Sequence, residues 1–316
     1  MTLRIVFFGT DDIALPSFHA LVNSLEHQVC ALVSQPDRPA GRGRKLTSPR
    51  IVDAARKAGI EVIQKENLKE NITRQKINSY GQDINIVFAY GCYIPSIIYD
   101  APEYRSINIH PSMLPCHRGA NPIRAALACG DEITGVSIQY VEKVMDTGDI
   151  LSSREVRINP DEIFEELAGR LSMLASELLL ETLRRLAAGE ISPGAQDESK
   201  ATICCKWEKS DTIIDWNMPG RDIHNRVRAF STSPGAQTMF RGKIVKILRT
   251  SFQATCPVSD ETFGPGTIVE VGKRDFIVTA GAGSIIVCEV KPEAKPAMDA
   301  CSFINGFRPK VGERLG

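Results

Sequence analysis

Residues 3–12 read Leu3-Arg4-Ile5-Val6-Phe7-Phe8-Gly9-Thr10-Asp11-Asp12. The apolar run is nearly unbroken, too short for a helical core, and stops at a glycine followed by polar residues. Helical spacing then takes over through Leu15, Phe18 and Leu21. A strand buried on both faces that turns directly into a helix is the opening unit of a doubly wound α/β fold. Working outward, the same alternation predicts strands over residues 29–33, 60–63, 83–90 and 106–109, with a helix over 51–58. Connections of this length between strands imply a mainly parallel sheet, a variant of the Rossmann arrangement. Two further strands are expected over 136–141 and 150–156, and a long helix over 161–186 with Leu167, Leu171, Leu174 and Leu178 on one stripe. Asn159-Pro160-Asp161 marks its start and Gly189 its end.

Beyond Gly189 the character changes. Residues 190–206 are polar and carry Ser192-Pro193-Gly194, which suggests a linker. Short β-rich segments punctuated by Gly and Pro follow at 243–249, 266–271, 275–280 and 284–290, the spacing of a small antiparallel barrel of OB type. The expected organisation is therefore a domain over 1–189, a linker over 190–206 and a second domain over 207–316, in keeping with a chain of 316 residues.

Lysine plus arginine and aspartate plus glutamate both number 38, so any contact with a polyanion must come from a local patch rather than a net field. The apolar start is too short for a signal sequence and no run approaches a membrane span, which predicts a cytoplasmic protein with no membrane contact. The nine cysteines are scattered and never form a C-x-x-C pair. They read as reduced thiols, with no metal site among them.

In Ser106-Ile107-Asn108-Ile109-His110 polar residues alternate with isoleucines, so on a strand Asn108 and His110 share one face. They stand at the carboxyl end of that strand, the edge where open α/β sheets bind ligands. Read alone, the pair could equally be structural. It is followed, however, by Leu114-Pro115-Cys116-His117-Arg118-Gly119 and then by Asp146-Thr147-Gly148-Asp149. In that order and spacing the three elements resemble the folate-dependent formyltransferases, and the resemblance implies a catalytic set of Asn108, His110 and Asp146. The chemistry suits these residue types. Attack of an amine on an N-formyl group creates an oxyanion that a neutral amide such as Asn108 can stabilise. His110 can donate to that oxygen or relay the proton, and Asp146 can orient the imidazole. Direct transfer, without a covalent enzyme intermediate, is expected.

Two features bear on the acceptor. Residues 35–46 carry Arg38, Arg42, Arg44 and Lys45 among glycines and prolines, an arm suited to a nucleic-acid backbone. The second domain carries Arg221, Arg226, Arg228, Arg241, Lys243, Lys246 and Arg249 with Trp207, Trp216 and Phe230. Together with Ile214-Asp215-Trp216 and Val227-Arg228-Ala229-Phe230, they are similar to the tRNA-modifying branch of the family. That resemblance spans the chain and implies 10-formyltetrahydrofolate as cosubstrate and the α-amine of initiator methionyl-tRNA as acceptor. It also implies a folate pocket lined by Ala89, Tyr90, Gly91, Ser112, Met113, Leu114 and Pro115, an Arg42 loop against the tRNA, and no metal. The chain is expected to act as a monomer. The alternative acceptor is an amino-sugar nucleotide, which would not need the cationic arm. A nicotinamide-dependent oxidoreductase fits poorly, because the glycine fingerprint is missing.

Overall fold

The computed structural model describes residues 2–40, 43, 45–256 and 263–316. Contacts gather the chain into two compact units: Met1–Pro122, Thr134–Val156 and Ala168–Cys204 in one, Ile123–Ile133, Arg157–Leu167 and Cys205–Gly316 in the other. The main division, between Cys204 and Cys205, falls within the expected 190–206 segment, and two shorter stretches of the first 189 residues group with the second unit.

The first unit is built on a seven-stranded sheet. Its strands are β1 (Leu3–Gly9), β2 (His27–Ser34), β3 (Glu61–Gln64), β4 (Ile84–Phe88), β5 (Ser106–His110), β6 (Ile133–Tyr140) and β7 (Ile150–Arg157), in the order β7-β6-β5-β4-β1-β2-β3. β1 pairs in parallel with β2 and β4, as do β2 with β3 and β4 with β5, while β6 runs antiparallel to β5. The sheet is thus mainly parallel and doubly wound. Strand order reverses between β1 and β4, which makes the carboxyl ends there the topological switch point. Leu3, Ile5, Val6, Phe7 and Phe8 have no exposed surface, as an apolar run covered on both faces requires.

Helix α1 (Leu15–Val22) follows β1, and α2 (Arg50–Lys57) and α3 (Asn71–Asn78) flank β3 in the chain. Residues 190–204, expected as a linker, are docked within this unit. Ile150 and Gly194 exchange backbone hydrogen bonds, and Ile203–Cys204 pairs in parallel with Arg118–Gly119.

The long helix, α4, runs from Phe164 to Ala187 rather than starting at residue 161. Residues 159–162 instead close their own turn, in which the Glu162 carboxylate accepts from the Asn159 amide at 2.9 Å, and Glu166 accepts from Ile163 N at 3.2 Å. The carboxylates satisfy amides that a helix start leaves unpaired. Of the expected stripe, Leu167, Leu171 and Leu178 are buried and Leu174 is half-buried.

In the second unit, β8 (Ala236–Phe240), β9 (Lys243–Gln253), β10 (Ile268–Val271), β11 (Phe276–Thr279) and β12 (Ser284–Pro292) form an antiparallel sheet in the order β8-β9-β12-β11-β10. β8 and β9 are joined by Arg241-Gly242, both at positive φ, the conformation of a tight hairpin turn. β8 and β10 are the outer strands, and residues 312–316 span them: Leu315 N donates to Gly266 O at 2.7 Å and Gly316 N to Met239 O at 2.9 Å. The expected barrel is closed by this segment rather than by direct pairing of two strands.

Helices α5 (Gly220–Phe230) and α6 (Ala300–Phe307) complete the unit, and neither is apparent in the β-rich reading of its sequence. α5 buries Ile223, Val227 and Phe230, an i, i+4, i+7 pattern hidden among arginines.

Candidate active site

β5 delivers Asn108 and His110 to the carboxyl edge of the sheet, and the alternating Ile107 and Ile109 are buried. The expected third member joins them. His110 Nδ1 lies 3.6 Å from Asp146 Oδ2, and Asn108 Nδ2 donates to Asp146 Oδ1 at 3.3 Å. The His110 and Asp146 side chains are only 5% and 8% exposed, so their interaction is little screened by water.

The histidine tautomer follows from its other contact. Nε2 is 2.9 Å from the His117 carbonyl oxygen, which can only accept, so the neutral ring carries its proton on Nε2. Nδ1, beside Asp146, is then the basic nitrogen.

Asp146 adopts φ +57° in the turn before β7, a conformation Asp tolerates better than most residues. Its carboxylate accepts three hydrogen bonds: from Gly119 N at 2.8 Å, from Gln139 Nε2 at 3.0 Å and from Asn108. Gly119 is required where it stands, because its φ is +120° and a Cβ there would lie 2.3 Å from the Cys204 carbonyl oxygen. The Arg118-Gly119 pair therefore serves the site through its backbone amide and through Arg118, whose guanidinium holds Gln196 and Glu198.

Sequence reasoning did not single out Gln139 or Gln196. Gln139 is opposite Asn108 across the β5–β6 pair, a position visible only once register is known. Gln196 sits in the presumed linker, where no periodicity or motif marks it.

The expected folate residues occupy the same edge, at the carboxyl ends of adjacent β4 and β5. Ala89 and Gly91 both have positive φ and are exposed. Tyr90 differs: its side chain is 1% exposed and packs with Phe8, Ile94 and Ile98, so only its main chain is at the edge. The Tyr90 carbonyl is held by Thr10 Oγ1 at 3.0 Å and Gln35 Nε2 at 2.7 Å. Burial pushes the Tyr90 phenol above its ordinary range. Ser112 is likewise turned inward, its hydroxyl donating to Cys116 O at 2.6 Å. Leu114 is buried, its amide bonded to Ser137 Oγ, while Met113 and Pro115 are half-buried and the Leu114–Pro115 peptide is cis.

Of the cationic arm, Arg42 and Arg44 lie outside the described residues. Arg38 and Lys45 are exposed on a two-stranded ribbon in which Arg38–Ala40 pairs antiparallel with Lys45–Thr47. The cations of the second unit are largely committed internally. Arg228 is 5% exposed and bonded to Asn159 O and Asn225, Arg241 pairs with Glu313, and Arg249 pairs with Glu166. Trp216 and Phe230 belong to the apolar core with Trp207 packed against it, so these aromatics are core rather than a stacking surface.

Among the described residues no group of three or more His, Cys, Asp or Glu side chains could hold a metal ion, and no helix is long and apolar enough to cross a membrane.

Residues 3–183 match the family described as Formyl transferase, and residues 206–308 its C-terminal domain. The chain is 39% identical to the methionyl-tRNA formyltransferase of Dictyoglomus turgidum over 99% of both chains. It is 37% identical to that of Geobacter sulfurreducens, covering 99% of this chain and 97% of the other. Among solved structures, HypX from Aquifex aeolicus in complex with tetrahydrofolic acid superposes with a TM-score of 0.66 at 17% identity, a likeness of fold. That match covers 98% of this chain and 48% of HypX, so the chain spans about half the length of that protein.

Proposed function

This chain belongs to the formyl transferase family, and from that membership we propose that it transfers the formyl group of 10-formyltetrahydrofolate to the α-amine of methionine on initiator methionyl-tRNA. The observation that carries the site assignment is the buried cluster of Asn108, His110 and Asp146 at the carboxyl edge of the sheet.

The reaction follows from the donors and acceptors present. As the amine attacks the formyl carbon, a C–N bond forms and the carbonyl oxygen becomes negative. Asn108 Nδ2 has two N–H groups; one is directed at Asp146 and the second is the donor for the oxyanion. His110 Nδ1 takes the proton released by the amine, and the imidazolium is held between the His117 carbonyl and the Asp146 carboxylate. When the old C–N bond breaks, the same proton passes to the departing folate nitrogen. Proton and electron pairs balance without a covalent enzyme intermediate.

The carboxyl ends of β4 and β5 fit the folate. Residues 89–91 and 112–115 stand at these ends, the edge where an open α/β sheet takes its ligand. Arg38, Arg42, Arg44 and Lys45 would meet the phosphates of the tRNA, the enzyme acting as a monomer in the cytoplasm.

The test offers 10-formyltetrahydrofolate together with initiator methionyl-tRNA, an amino-sugar nucleotide and water as competing acceptors, and identifies the formylated product. Formyl-methionyl-tRNA is expected. Formylated sugar, or formate alone, would refute the acceptor assignment.

A further inference from the structure

Asp146 is connected to a chain of side chains whose hydrogen bonds all run in one direction. Arg118, 7% exposed, can only donate, and its Nε and Nη2 donate to Gln196 Oε1 at 3.1 and 2.8 Å. With Oε1 so occupied, Gln196 presents Nε2 to three acceptors: Gln139 Oε1 at 3.0 Å, the Asp146 carbonyl at 3.0 Å and the Gly148 carbonyl at 2.7 Å. Gln139, accepting through Oε1, directs its own Nε2 at Asp146 Oδ1, an ionised carboxylate that can only accept. A donor-only cation at one end and an acceptor-only anion at the other leave each amide a single orientation. The series Arg118 to Gln196 to Gln139 to Asp146 is therefore fully specified, and every dipole points toward the carboxylate.

We infer that Gln196, acting with Gln139, is a positioning residue for the transfer reaction. It grips Asp146 twice, once at the main chain, where its bonds to the carbonyls of residues 146 and 148 hold the positive-φ turn, and once at the carboxylate through Gln139. With Oδ1 held by Gln139 and the turn held by Gln196, the carboxylate is oriented so that its other oxygen, Oδ2, faces His110. Glu198 anchors the far end through two bonds to Arg118 at 2.9 and 2.7 Å. The segment 194–204 is thus part of the catalytic unit: it supplies the clamp on which the orientation of Asp146 depends. This inference rests on the assignment of Asp146 to the reaction.

The test compares Gln196→Leu, Gln139→Leu and Asp146→Asn with the unmodified enzyme, each rate expressed per folate-binding site measured on the same preparation. Misplacement of a group that orients the catalytic base is expected to lower kcat by about 10- to 100-fold in both leucine variants, while KM for folate and for tRNA stays within about twofold. Gln139→Leu breaks only the link to the carboxylate and leaves the turn gripped, so it decides the matter if Gln196→Leu does not fold. Per-site kcat within about twofold of the unmodified enzyme, with Asp146→Asn inactive, would overturn the inference alone. A loss expressed only as raised KM would overturn it as well. An active Asp146→Asn would instead overturn the site assignment beneath it.

Discussion

Replacing Asp146 by asparagine removes a charge while preserving shape, and the structure sets the size of the effect. The carboxylate lies 3.6 Å from His110 Nδ1 in a site where both side chains are more than nine-tenths buried. At an effective dielectric of about 20, a pair at that distance is worth about 4–5 kcal/mol, and in bulk water only about 1 kcal/mol. In the proposed transfer the imidazolium forms as the amine gives up its proton, so the loss is expected to fall on the transition state rather than on substrate binding. Burial places the effect toward the upper limit, and kcat is expected to fall by about 10²- to 10³-fold with KM little changed. The amide also introduces a donor at one of two oxygen positions that now accept hydrogen bonds. Its NH2 must face either Gly119 N–H or the amides of Gln139 and Asn108. The first conflict is smaller, with a stability cost of about 1–3 kcal/mol for one unmet buried donor. Single-turnover formylation, with thermal unfolding measured on the same sample, separates the two effects. A rate loss below about fivefold in a folded variant would refute the role of Asp146 as partner to a histidine cation.

Three other outcomes follow from particular residues. Asn108→Ala should lower kcat by about 10²- to 10³-fold, the usual consequence of removing one oxyanion donor, and steady-state kinetics at saturating folate would detect it. His27 and His224 both have lowered folded-state pKa values, chiefly through burial, and neither ring nitrogen of His27 has a hydrogen-bond partner. Since the unfolded chain binds protons more readily at these sites, their contribution to stability is intact above the ordinary histidine value of 6.5 and is lost as pH falls toward the lowered values, so Tm should drop between about pH 7 and 5.5. Leu315→Ala, at a 3% exposed position in the segment closing the second unit's sheet, should cost about 2–4 kcal/mol in denaturant unfolding.

The boundary between what was legible in the sequence and what was not follows the range of the forces involved. Residues 3–8 and the shared face of Asn108 and His110 could be read because a buried apolar run and strand alternation are local properties, written within a few residues, while Asp146 was joined to them by the family resemblance. The same reading missed α5, whose three apolar contacts lie among arginines that suggest a charged surface. It also named Arg228, Arg241 and Arg249 among the second-domain cations bearing on the acceptor, although partners remote in sequence neutralise or bury them. Tyr90 and Ser112 were expected at the folate edge, and the structure turns both side chains inward.

By itself, then, the sequence determined the doubly wound first unit, the β-rich second one and two polar residues sharing a face at a strand end, to which the family resemblance added Asp146 in a turn. Only the tertiary structure decided which nitrogen of His110 is basic, because that depends on a carbonyl seven residues away. Likewise, only the fold brings Gln196 to the turn of Asp146, fifty residues distant. No local pattern encodes a hydrogen bond between segments that meet only after the sheet has formed.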